Sequence, residues 1–213
     1  MAPPGRPAAI LLPLSALGFL CGAITAALTD VLPYRFTFVR PDNLFLCFTQ
    51  AQIFFALFVW PLFIPSIAVG GEIRPLALHA GGVALLGFPL GLVCANVSDA
   101  GMMTLARGQL LAASVTALVA SIYAMGLRRG RRVGPWYVLG AFAVSAGLPW
   151  LAFLLYEFGP ADRPGLPWMA ALSPFWAGSR VDANVSLAPA AVWVAVSAIL
   201  LVAARAPRGE AAP

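Results

Sequence analysis

Apolar residues in this chain do not alternate with polar ones. They gather in long blocks separated by short polar breaks. Six blocks are read, at 8–28, 45–69, 76–96, 105–125, 136–156 and 187–204. A helix crossing the hydrocarbon core needs ~20 residues, which these blocks supply. The pattern predicts an all-α fold, a polytopic membrane bundle of about six transmembrane helices, forming one integral membrane domain over 1–213.

The interruptions refine this picture. Pro61 and Pro65 remove backbone donors from the second half of the second block and predict a kink there. Gly18 and Gly22 in the first block, and Gly87 and Gly91 in the third, have the four-residue spacing that lets helices approach closely. With Gly81 and Gly82 as well, the third helix is expected to be central to the bundle. The segment 157–186 is the longest that does not span. Its Leu166 to Ala177 portion is apolar but short and broken by proline, so it is expected to lie in the outer interface or to dip back into the bundle.

Composition removes the soluble alternatives. The chain is 61% hydrophobic and 10% charged, whereas an ordinary soluble domain is about a quarter charged. All 13 basic residues are arginine, which fits a GC-rich, bacterial source. The net charge of +5 does not imply nucleic acid, because the arginines sit at the ends of apolar blocks, where they set orientation. The run Arg128, Arg129, Gly130, Arg131, Arg132 is the strongest topological mark. Placing it inside puts both termini and the Glu72 turn in the cytoplasm, with eight arginines inside and five outside. A five-span arrangement lacking the first or third helix is the alternative. The expected location is the bacterial cytoplasmic (inner) membrane.

Candidate chemistry is sparse. The chain has no G-x-S-x-G, no H-E-x-x-H, no Walker glycine loop and no paired carboxylates within one block, which argues against an enzyme. No catalytic residue, cofactor or metal site is assigned. Cys21, Cys47 and Cys94 read as small apolar packing residues, and His79 as a polar residue at a helix end. Arg107 and Glu157 fall near the outer boundary as interface anchors. No ordered polar cluster within the spans is evident from the sequence.

The end of the chain carries a resemblance. Leu172-Ser173-Pro174-Phe175 before the last block resembles an element of the permease subunits of ABC exporters of the ABC type-two class, and Leu200 to Arg205 is similar to their exit into a basic tail. Glu72 occupies the place where they carry an acidic coupling residue. The resemblance implies a transport subunit driven by a separate cytoplasmic ATPase chain. Glu72, Arg74, Arg128, Arg129, Arg131 and Arg132 would then face that partner, and Phe175 and Trp176 would line an outer gate. On that transport reading the chain would pair with a homodimer partner; the competing reading is a non-catalytic scaffold that meets other membrane subunits through its glycine faces and the aromatic outer segment.

Overall fold

The structure is a computed structural model of the chain, and it describes residues 44–68, 73–130, 133–158, 167–181 and 187–205. The expected first span, with Gly18, Gly22 and Cys21, lies outside the described residues, as do Glu72, Arg131 and Arg132. The described residues form an all-α bundle containing five helical spans long and apolar enough to cross a membrane, at Leu44–Leu62, Ile73–Val97, Met102–Arg128, Gly134–Phe158 and Leu187–Ala204.

The first of these spans starts as helix α1 (Leu44–Phe54), widens to a π-turn over Phe55–Val59 and tightens to a 3-10 turn over Trp60–Leu62. A short α2 (Ile64–Ile67) follows. The two expected proline effects are visible here, since Pro61 and Pro65 each sit at the start of a new helical segment. Helix α3 (Ile73–Val97) begins three residues earlier than the sequence pattern implies, so Arg74 lies in its first turn, exposed. A tight link joins it to α4 (Met102–Arg128), with Asp99 in the left-handed region at φ 52°. Aspartate tolerates that conformation better than most side chains.

Helix α4 ends with Arg129 as its cap and Gly130 at φ 64°, whose N–H bonds to the Leu127 carbonyl at 3.2 Å. A glycine one residue past the cap reverses the chain without a Cβ clash. The next span is α5 (Gly134–Phe142), a π-turn over Ala143–Gly147, and α6 (Leu148–Phe158). Two short helices, α7 (Pro167–Ala171) and α8 (Pro174–Gly178), precede the last span, α9 (Leu187–Arg205).

The centre of the bundle is α4, not α3. Over their most apolar stretches α4 is 56% buried and α3 only 22%. Helix α4 packs along α9 and also meets α1, α3 and α8. Small residues permit this, because Gly108, Ala112, Ser114, Thr116, Ser121 and Ala124 are all buried on it. Their hydroxyls bond back to its own carbonyls, Ser114 to Leu111, Thr116 to Ala112 and Ser121 to Ala117, so none competes for a partner across the interface. In α3, Gly87 and Gly91 are buried while Gly81 and Gly82 meet nothing within 4 Å. Glycine frequency marks where close approach is possible, and only half of these positions use it.

Candidate functional site

A polar layer crosses the interior of the bundle. Gln52 on α1 and Gln109 on α4 face each other and exchange both amide bonds, Gln109 Nε2 donating to Gln52 Oε1 at 3.1 Å and Gln52 Nε2 donating to Gln109 Oε1 at 3.4 Å. Glycines make the room. A Cβ at Gly87 would collide with the Gln52 amide, and one at Gly91 would stand 2.6 Å from Gln109 Nε2. On α4 itself, Gly108 receives the Phe45 ring and the Thr49 hydroxyl, which donates to the Phe45 carbonyl at 2.9 Å. The sequence reading of the spans as free of any ordered polar cluster is therefore corrected. Each glutamine looks isolated in its own apolar run, and the fold pairs them.

The second component is residues 167–181, between the fourth and fifth described spans, which pack into the bundle. Ser173 is fully buried and caps α8, accepting from the Trp176 N–H at 3.4 Å. Its Oγ donates to the Ser145 carbonyl at 2.8 Å. Ser145 lies midway along the 25-residue span Gly134–Phe158, about 20 Å below its Phe158 end at 1.5 Å per residue. The segment is thus re-entrant, the second of the two arrangements expected from sequence. On α1, Gln50 Nε2 donates to the Phe175 carbonyl at 2.7 Å, and the Phe175 ring stacks on Phe58 with centroids 6.4 Å apart and planes 3° from parallel. Gly178 fits against Ile53 and Gln50.

Proline explains why the re-entrant segment fastens where it does. In an α-helix the carbonyl of residue i receives the N–H of residue i+4, and proline has none. Pro149 leaves Ser145 without its α-helical donor, and Pro61 does the same to Leu57. Both carbonyls lie in the two π-turns. Each takes a hydroxyl from another element instead, Ser145 from Ser173 and Leu57 from Tyr137 Oη at 2.8 Å. Hydrocarbon supplies no water for such a group, so these cross-helix hydroxyls are what make the broken turns tolerable.

Other sequence-marked residues lie elsewhere. Arg74, Arg128 and Arg129 are exposed at one end of the bundle, where α3 starts and α4 stops. Trp176 is half-buried, with the Arg180 guanidinium 5.4 Å from its ring centre. Arg107 lies in the second turn of α4 and is half-buried, deeper than the boundary position expected, because α4 begins at Met102. Glu157 is exposed near the end of α6, and His79 is half-buried on α3. Cys94 is buried, and Cys47 is exposed on α1.

Two buried oxygens in the polar layer, Gln50 Oε1 and Ser145 Oγ, have no hydrogen-bond partner among the described residues. Among the described residues, no three His, Cys, Asp or Glu side chains gather as a metal site. The layer is made of amides and hydroxyls, groups that bind and position at membrane depth without exchanging protons near neutral pH. Comparison with family models, curated proteins and solved structures finds no match to this chain.

Proposed function

We propose that this chain is the membrane-spanning, permease-like subunit of a transport complex, driven by a separate ATPase chain. The observation that carries the reading is the re-entrant segment anchored at mid-depth on two proline-broken helices. Carriers build their sites near the bilayer midplane from interrupted helices, whose irregular backbone is tolerated only inside protein or beside a cavity. Here the segment packs against α1 and the Gly134–Phe158 span through Ser173, Phe175 and Gly178, and the amide pair ties α1 to α4. On this reading it is the outer gate. Catalysis belongs to the partner, and the chain itself is not an enzyme.

The arginine end is assigned to the cytoplasm of a bacterial inner membrane, from the charge of the 128–132 loop. Glu72, Arg74 and that loop would receive the ATPase. A second reading, a non-transporting scaffold, rests on the Gly134–Phe158 span, which is 6% buried and exposes Trp136, Phe142, Trp150 and Phe153. Mild detergent extraction of tagged protein, with mass spectrometry of copurifying chains, tests both. The transport reading expects an ATPase that is lost with Glu72→Ala or with the four loop arginines neutralised. Structural membrane subunits that persist through those substitutions, with no ATPase, would replace it by the scaffold.

A further inference from the structure

A cavity lies at the arginine end of the bundle. It has a volume of about 560 Å³ and is bounded by Leu57, Phe58 and Leu62 on one wall and by Tyr123, Leu127 and Val138 on the other. That is within the size of ordinary small-molecule sites. Among the described residues no charged side chain lines it. The side-chain polar groups that its described residues supply are the hydroxyls of Tyr123 and Tyr137, and the second is already bonded to the Leu57 carbonyl. The rings of those tyrosines sit 5.1 Å apart and form an aromatic wall.

The cavity's position relative to charge is fixed by the chain. Leu127 and Val133 both line it, and between them run Arg128, Arg129, Gly130, Arg131 and Arg132, without an acidic residue. Arg128 and Arg129 are exposed, and the left-handed turn at Gly130 holds the chain reversal beside the cavity. An apolar slot between helices, with the exposed Arg128 and Arg129 directly following its lining residue Leu127, matches one amphiphile in shape and charge, because basic pockets between transmembrane helices bind anionic head groups. We propose that the cavity holds an acyl chain of an anionic phospholipid, with its phosphate against Arg128 and Arg129. Arginine suits this task, since its planar fork meets phosphate oxygens two at a time. The site goes beyond the transport reading and does not depend on it.

Native mass spectrometry of the full chain in mild detergent tests the proposal, with phosphatidylglycerol and phosphatidylcholine of identical palmitoyl-oleoyl chains as probes. The expected result is one phosphatidylglycerol retained per chain, roughly tenfold or more in preference to phosphatidylcholine. Arg128→Gln with Arg129→Gln should abolish that preference. Val138→Trp, or Leu62→Trp from the opposite wall, should reduce retention of both lipids by filling the slot. Both positions are partly open, at 49% and 70% exposed, so a larger side chain fits without rebuilding the core. Equal retention of the two lipids by the unmodified chain would overturn the proposal. So would phosphatidylglycerol retention undiminished in both tryptophan variants, since the arginines would then be acting only on the micelle surface. Retention unchanged by the arginine substitutions, together with loss of a copurifying ATPase, would assign the loop to a protein partner instead. The transport reading fails separately, on the absence of any ATPase.

Discussion

Removing one hydroxyl, by Ser173→Ala, should loosen the re-entrant segment by an amount the geometry sets. Ser173 Oγ makes two bonds, a short one of 2.8 Å to the Ser145 carbonyl and a long one of 3.4 Å from the Trp176 N–H. A buried carbonyl left without a donor costs about 1–3 kcal/mol. The stretched cap adds the low end of the usual capping value, about 0.5 kcal/mol. The single substitution should therefore destabilise by about 1.5–3.5 kcal/mol. The argument depends on Pro149, which is why Ser145 needs an outside donor at all. Restoring an N–H with Pro149→Ala should let the helix satisfy Ser145 itself, and Ser173→Ala in that background should cost only the cap, about 0.5 kcal/mol. Unfolding of the four chains in mixed micelles gives the coupling as a double-mutant cycle, with about 1–3 kcal/mol expected. Effects that add to within ~0.5 kcal/mol would refute the claim that the proline-freed carbonyl is what Ser173 serves.

Two further outcomes follow from the same structure. Gly87→Ala puts a methyl group into the Gln52 amide and should cost about 1–2 kcal/mol through the lost pair with Gln109. In a Gln52→Ala chain the same change should be neutral or mildly stabilising, by up to ~1 kcal/mol from helix propensity, as read by thermal melting in detergent. Tyr137→Phe leaves the Leu57 carbonyl without its hydroxyl and should lower stability by about 1–3 kcal/mol. Hydrogen exchange should speed up around Phe55–Val59 rather than across the whole bundle.

The five described spans were legible because long apolar runs have few ways to satisfy backbone groups in lipid, and their edges fell within three residues of the expected ones except at Leu62, where the first described span closes seven residues before the expected end at 69. The kink at Pro61 and Pro65 was legible for the same reason, and so was the inability of Leu166 to Ala177 to cross. The polar layer was not. Gln52 and Gln109 are 57 residues apart, and nothing local to either announces the other. A usable signal was present in the glycines Gly87 and Gly91, which make room for polar side chains as readily as for a neighbouring backbone. The same residues misled as to the centre of the bundle. That role falls to α4, whose alanines, serines and threonines attract less notice than a run of glycines but are buried along most of its length. Pro149 was visible, but its partner across the fold was not, because a freed carbonyl says only that some donor must arrive.

The two π-turns have a mechanical consequence. Each holds one residue of slack in an otherwise regular helix, and slack of this kind can travel along a helix if the bonds behind it re-form. Here it is pinned, because Pro61 and Pro149 lack the N–H that would let the following turn close. The bundle therefore has two fixed points of compliance, one in each helix that grips the re-entrant segment. Any displacement of that segment is delivered to Phe55–Val59 and Ala143–Gly147, where the two helices can bend without unwinding elsewhere.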